Sequence, residues 1–270
     1  MNRKIGFTFS GGGARAIAQI GILKAFEEYG IKADVVAGTS GGAIIAALYA
    51  AGLSTEQMLQ AASEGDLFKA YRMGSPFKGL TNLEYLKEIL SKHIGTDSFE
   101  QLALPLFVTA TDLNEGAVTY FSSGSLFTAV MASCSIPFLF KPVEINGKLY
   151  VDGGIIDNMP VAPLQAHCDI IIGINVTPNY TLSKKALENV VSISKRTFDI
   201  IATYHSVRQK SKCTFVIEPK DVLAYSIFNF KAYQALHEIG YQAALKQMPQ
   251  LFERLPSSID YTTSQTIEVS

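Results

Sequence analysis

The hydrophobic pattern of this 270-residue chain alternates between short continuous apolar runs and longer segments with helical spacing. Continuous apolar runs of about four to eight residues are typical of buried strands, whereas apolar positions recurring every three or four residues are typical of helices. Strands are predicted at 4–9, 34–38, 105–111, 117–122, 142–151, 169–176 and 213–218. Helices are predicted at 14–29, 41–51, 55–64, 82–93, 125–133, 184–210 and 230–246.

This order of elements predicts the fold class and the place of the site. Strands separated by helices favour a three-layer α/β/α sandwich with a mainly parallel central sheet, because parallel strands need crossover helices that cover both faces. We expect one domain over 1–256 and a polar, disordered tail over 257–270. Loops that follow parallel strands meet at one edge of the sheet, where α/β proteins build their sites.

The loop at 38–42, Gly-Thr-Ser-Gly-Gly, joins a predicted strand to a predicted helix. A nucleophile elbow requires this context, because the sharp turn lifts the serine hydroxyl clear of the backbone and the helix N-terminus favours negative charge beside it. Glycines at 38, 41 and 42 allow the strand and the helix to approach each other closely. Ser40 is therefore the candidate nucleophile.

A run of three glycines, Gly11-Gly12-Gly13, follows the first predicted strand. Backbone N–H groups in such a run can face one point and bind an anion. One interpretation is an oxyanion hole and another is a dinucleotide fingerprint, with Asp34 as the ribose-binding acid; a purely structural turn is the third. Asp34 begins the second predicted strand, whereas a ribose-binding acid belongs at its end, so we favour the oxyanion hole.

Asp152 follows a predicted hairpin whose turn is Asn146-Gly147, a pair typical of type I′ turns. Two glycines come directly after it, and an isolated Asp-Gly pair is usually only a turn. In a chain that also carries the serine elbow and the glycine run, we interpret Asp152 as a catalytic carboxylate at the end of a strand.

Together these motifs resemble the patatin-like phospholipase family. The residues that carry the resemblance are Gly11-Gly12-Gly13-Ala14-Arg15, Gly38-Thr39-Ser40-Gly41-Gly42 and Asp152-Gly153-Gly154, with lesser matches at 132–137, Pro142 and 158–160. The resemblance implies a serine lipid acyl hydrolase without a metal or other cofactor, in which Ser40 attacks an ester carbonyl and Asp152 accepts its proton. It also implies an oxyanion loop formed by Gly11, Gly12, Gly13 and Arg15. One departure is Ala16, where the family usually has glycine.

Three other functions stay open at this point. An acyltransferase would use the same nucleophile but pass the acyl group to an acceptor other than water. An α/β-hydrolase triad would require His167, His205 or His237 after the acid, although none follows a strand in a loop as a triad histidine usually does. A nucleotide- or phosphate-binding protein would use the glycine run without needing Ser40 and Asp152 together.

Composition limits the partners. A net charge of −1 gives no electrostatic reason to expect nucleic acid, and three cysteines without a disulfide pattern indicate a reducing compartment. The sequence shows no signal peptide, and its longest apolar run, 43–53, is too short for a bilayer. We therefore expect a cytoplasmic protein, with peripheral membrane contact as an open alternative; the lipid ester substrate is what the family resemblance implies. Segments 65–80 and 184–210 are candidates for transient membrane contact, against the alternatives of a docked loop and a solvated basic helix.

Overall fold

A computed structural model describes residues 3–63 and 83–255. The strands are β1 (Ile5–Phe9), β2 (Val35–Thr39), β3 (Leu106–Asp112), β4 (Ala117–Phe121), β5 (Val143–Ile145), β6 (Lys148–Asp152), β7 (Ile170–Ile174) and β8 (Phe215–Ile217). The α-helices are α1 (Ile17–Glu28), α2 (Gly41–Ala50), α3 (Thr55–Ser63), α4 (Glu84–Ile94), α5 (Leu126–Ser133), α6 (Ala162–Gln165), α7 (Val190–Lys210) and α8 (Tyr233–Arg254). Short 3-10 turns include Gly13–Ala16, Gly153–Ile155 and Lys184–Leu187.

The strands pair into one sheet in the order β5-β6-β3-β2-β1-β7-β8, with β4 also paired to β3. The run β3-β2-β1-β7-β8 is parallel throughout, whereas β4, β5 and β6 pair antiparallel. The predicted α/β architecture with a mainly parallel centre is therefore confirmed. Its antiparallel part is the β5–β6 hairpin together with β4.

Both faces of the sheet are buried, as the alternation of strand side chains requires. On β2, Val36 packs into the main core, and Val35 and Ala37 pack into a second cluster on the other face, together with Leu164 of α6. Helices α1 and α8 pack against each other on the side of the main core. The sheet thus lies between two helical layers.

Three helices differ from the sequence prediction. The helix predicted at 184–210 begins only at Val190, because Asn189 caps it: the Asn189 side chain accepts the Ser192 N–H at 2.9 Å, and residues 184–187 form a separate turn. The last helix continues to Arg254 through Pro249, although proline disfavours a helix interior, because Leu251 beyond it is fully buried. The short helix α6 was not predicted.

Two predictions fall on residues that the structure does not describe: the segment 65–80 and the tail 257–270. Among the described residues, no helix combines the length and the hydropathy needed to cross a bilayer.

Candidate active site

Strand β3 brings the ends of β2 and β6 together. Thr39, the last residue of β2, pairs with Thr109, and Asp152, the last residue of β6, pairs with the next residue, Ala110. Strand β4 pairs with all of 108–112, so it occupies the other edge of β3, and β2 and β6 meet end to end on the same edge. Because Ser40 directly follows β2, this register brings Ser40 beside Asp152.

Ser40 lies in a strained turn between β2 and α2. Its φ of 54° and ψ of −127° form a conformation that residues with a Cβ rarely adopt. Its backbone N–H donates to the Ser133 hydroxyl at 2.8 Å, which ties the elbow to α5. The elbow glycines lie where the backbones touch: a Cβ at Gly42 would be 2.4 Å from the Ser10 carbonyl oxygen. Likewise, Cβ atoms at Gly38 and Gly41 would lie within 3 Å of backbone carbonyl oxygens.

The Asp152 carboxyl group is buried beside this serine. Burial raises its pKa to about 7, and the Gly154 N–H and the nearby Ser40 hydroxyl only partly oppose that shift. The Gly154 N–H donates to Oδ1 at 2.8 Å. Oδ2 has no hydrogen-bond partner in the described part of the chain, so no contact there commits it to a structural role. A carboxylate that is half ionised near neutral pH and has a free oxygen is suited to accept a proton.

The glycine loop offers two uncommitted backbone donors. Among the described residues, the N–H groups of Gly12 and Gly13 have no acceptor, whereas the next amide, of Ala14, donates to the Ile227 carbonyl at 2.8 Å. Gly13 has a φ of 56°, and a Cβ there would lie 2.4 Å from the same carbonyl oxygen. Only glycine fits this position without a shift of the backbone.

The structure differs from the sequence prediction at Gly11. Its N–H donates to the Asn158 carbonyl at 3.0 Å and is therefore not available to an oxyanion. A Cβ at Gly11 would lie 2.5 Å from Asn158 Oδ1 and 3.1 Å from the Ser40 Cβ. Gly11 thus leaves space beside the serine and joins the glycine loop to the turn that follows Asp152.

Arg15 is also buried, but its donors are partly committed. Its backbone N–H donates to the Gly12 carbonyl at 3.1 Å, and its Nε donates to the Tyr225 carbonyl at 2.8 Å. Burial lowers its pKa, and the nearby Asp199 opposes that shift. The guanidinium carbon lies 5.9 Å from the centre of the Tyr180 ring. Arg15 is therefore anchored at the side of the site.

One cavity joins these groups. It is lined by Gly12, Gly13, Arg15, Ser40 and Asp152. The other lining residues are Ile136, Asn158, Thr177, Pro178, Tyr180, Phe198, Asp199, Ala202, Thr203 and Ile227. Most of this second group comes from the loop after β7, from α7 and from the loop before α8, where no sequence motif indicated a site. Ile136 and Asn158, in contrast, belong to segments 132–137 and 158–160, which carried lesser matches in the sequence.

The residues required by the alternative functions lie elsewhere. None of the described residues lining this cavity is a histidine. His167 stacks on Phe107 with 5.4 Å between ring centres, and His205 contacts Tyr204 edge-on. The Asp34 carboxylate accepts the Ile5 N–H at 2.7 Å at the start of β2, so it does not occupy the end of that strand. Within 3–63 and 83–255, His, Cys, Asp and Glu side chains form no group of three suited to a metal.

Comparison with known proteins gives a consistent result. The model of the patatin-like phospholipase family matches residues 7–164. The uncharacterized NTE family protein MT2641 of Mycobacterium tuberculosis (strain CDC 1551 / Oshkosh) is 29% identical over 280 residues, covering 92% of this chain and 48% of that protein. Lysophospholipase nte1 of Emericella nidulans is 35% identical over 185 residues, covering 64% of this chain and 12% of that protein. The chain thus spans about half the length of the mycobacterial relative.

Among solved structures, VipD from Legionella pneumophila superposes with a TM-score of 0.54. The two share 16% sequence identity, and the match covers 93% of this chain and 67% of VipD. This similarity supports the fold.

Proposed function

Because this chain belongs to the patatin-like phospholipase family, we propose that it hydrolyses carboxylic esters of phospholipids or related lipids through a Ser40–Asp152 dyad. The observation that carries the proposal is the strained Ser40 elbow facing a buried Asp152 carboxylate whose Oδ2 has no hydrogen-bond partner among the described residues. The relative named lysophospholipase supports a lipid ester as the substrate. The amides of Gly12 and Gly13 lie in the same cavity and have no acceptor within 3–63 and 83–255, and they complete the set of groups that acyl transfer needs.

In the first half of the reaction, Ser40 Oγ attacks the ester carbonyl carbon while its proton passes to Asp152 Oδ2. Asp152 is a stronger base here than an exposed carboxylate, because burial raises its pKa to about 7. The carbonyl oxygen becomes an oxyanion that accepts the N–H groups of Gly12 and Gly13. The N-terminal end of α2 lies beneath the serine and favours the same negative charge.

Collapse of this intermediate breaks the bond to the leaving alkoxide, which takes the proton back from Asp152 and departs as an alcohol. The acyl group is then bound to Ser40 as an ester. Water gives a proton to the ionised Asp152 as its oxygen attacks this ester, and the second collapse returns that proton to Ser40 Oγ and releases the fatty acid. No step requires a histidine or a metal.

An acyltransferase would follow the same first half-reaction and differ only in the acceptor. Product analysis in the presence of an added alcohol or lysophospholipid therefore separates the two activities. Hydrolysis releases free fatty acid in proportion to substrate consumed, whereas transfer yields a new ester instead.

The proposal is tested by labelling the protein with a fluorophosphonate and mapping the modified peptide. We expect one modification at Ser40, because this serine shares one cavity with a buried carboxylate of raised pKa and with the Gly12 and Gly13 amides. A panel of phospholipids, lysophospholipids and short-chain esters, assayed for released fatty acid, then identifies the substrate class. Absence of labelling together with absence of ester turnover would contradict the proposal.

Gly13→Ala is expected to lower kcat by about 10²–10³-fold with a smaller change in KM, the usual cost of one lost oxyanion donor. The added Cβ meets the Ile227 carbonyl oxygen, so the backbone must move and the Gly13 N–H turns away from the oxyanion. Gly95→Ala is the matched control: Gly95 also has a positive φ, of 75°, but a Cβ there has nothing within 4 Å. A similar loss of kcat in both variants would assign the effect to backbone strain.

A further inference from the structure

Helix α7 has an apolar stripe on its outer face. Val190, Ile193, Ile200, Tyr204 and Val207 are each between 49% and 77% exposed. Their spacing of three and four residues, with the exposed Thr197 in the remaining position, keeps them within an arc of about 100°. Isolated exposed apolar residues are ordinary, but a continuous stripe along a 21-residue helix marks a contact surface.

The opposite face of the same helix belongs to the candidate active site. Phe198, Asp199, Ala202 and Thr203 line the cavity that holds Ser40. Helix α7 is therefore a wall one helix thick, about 10–12 Å, between the cavity and the surface that carries the stripe. A second exposed apolar group lies next to the cavity: Phe138 is 82% exposed and follows the lining residue Ile136 by two positions.

Charge is segregated onto the same segment. Residues 184–212 hold seven lysines and arginines against two acidic residues, a net +5, whereas the whole chain carries −1, so the remainder carries −6. Of these cations, Lys184, Lys185, Arg208 and Lys212 are exposed. Lys184 and Lys185 precede Val190, and Arg208 directly follows Val207, so exposed cations lie at both ends of the stripe.

We propose that the outer face of α7 docks onto an anionic lipid bilayer and so brings the Ser40 cavity to the membrane surface. An amphipathic helix with aliphatic and aromatic residues on one face and lysine and arginine beside them binds such interfaces. A second copy of the chain fits less well, because pairing two α7 helices would bring two segments of net +5 together. This proposal rests on the proposed function and adds that the protein reaches its lipid substrate at the surface of a bilayer.

The test measures binding and not turnover, so it does not depend on Ser40 being the nucleophile. The full chain is floated with vesicles of phosphatidylcholine alone and of phosphatidylcholine mixed with phosphatidylglycerol. We expect binding to the mixed vesicles that weakens with added salt. Ile193→Ser combined with Ile200→Ser should lower the partition coefficient at least about tenfold, because two apolar side chains no longer enter the interface. Lys184→Glu combined with Lys185→Glu should lower it similarly, on the mixed vesicles only.

Matched controls lie elsewhere on the surface. Leu149→Ser removes a 40% exposed apolar side chain on β6, and Lys246→Glu reverses an exposed charge on α8; neither should change vesicle binding. The thermal midpoint of each variant verifies folding. Equal binding of wild type and α7 variants would overturn the proposal. So would a concentration-dependent dimer in sedimentation that the Ile193→Ser, Ile200→Ser variant loses, because the stripe would then bind a second copy.

Discussion

Asp152→Asn should lower kcat by at least about 10²–10⁴-fold, the usual cost of losing a general base. Asparagine has nearly the same size, and its Oδ1 can still accept the Gly154 N–H, but it cannot take a proton from Ser40. The loss should therefore appear in kcat, with little change in KM. Steady-state kinetics on a soluble ester measures it, and a loss of less than tenfold would exclude Asp152 as the base.

The matched controls are His167→Gln, His205→Gln and His237→Gln, each expected to retain turnover within about tenfold of wild type. A triad would make one of these histidines the base and leave Asp152 only to orient it. Each rate is compared with the thermal midpoint, since His167 stacks on Phe107 and His237 is half-buried in α8. A stably folded histidine variant reduced a thousandfold would transfer the role of base to that histidine.

The same Asp152→Asn change should stabilise the protein in alkaline solution. The pKa of Asp152 is about 7 in the folded chain against an ordinary value of 3.8, so the wild type loses stability as pH rises between these values. Asparagine carries no such penalty. We expect the free energy of unfolding of the variant, relative to wild type, to grow by about 2–3 kcal/mol between about pH 5 and pH 8. Urea unfolding at both pH values measures this difference, and a pH-independent difference would contradict the raised pKa.

The pH dependence of wild-type activity follows from the same group. Asp152 must be ionised to accept the proton, so kcat/KM should rise with pH, reach half of its plateau near pH 7 and level off about one to two pH units above that, where the carboxyl group is almost fully ionised.

The Ser40 elbow could be predicted from sequence because its chemistry and its local structure depend on the same few residues. Gly38 permits the close packing of β2 and α2, Gly42 lets α2 approach the end of β1, and Ser40 occupies the turn between β2 and α2. The α/β order was predictable for a similar reason, since strand and helix periods are local properties of the chain. The ends of the helices were less predictable, because Asn189 and the buried Leu251 act through capping and tertiary packing.

The rest of the site depends on contacts between distant segments. The Gly11 N–H donates a hydrogen bond to the carbonyl of Asn158, a residue far away in the sequence. Tyr180 and Phe198 line the cavity because α7 and the loop after β7 fold over the sheet. No local pattern encodes those approaches. The pairing of Asp152 beside the end of β2 is likewise a matter of register on β3, which only the assembled sheet defines.

Ser40→Ala and Ser40→Gly should both lose fluorophosphonate labelling and lower kcat by at least about 10⁴-fold, because both remove the attacking oxygen. Their stabilities should differ in an unusual direction. At φ 54° and ψ −127° a residue with a Cβ is strained by about 1–3 kcal/mol, whereas glycine adopts this conformation freely. The greater freedom of glycine in the unfolded chain offsets about 0.4–1 kcal/mol of that gain.

We therefore expect Ser40→Gly to be more stable than Ser40→Ala by about 1 kcal/mol, or about 2–4 °C in thermal midpoint. Ser91, exposed on α4, supplies the control of opposite sign. In a regular helix, Ser91→Gly should be less stable than Ser91→Ala by about 1 kcal/mol. If Ser40→Gly were also the less stable of its pair, the elbow would hold no strain, and the serine would not be presented to substrate by a forced turn of the backbone.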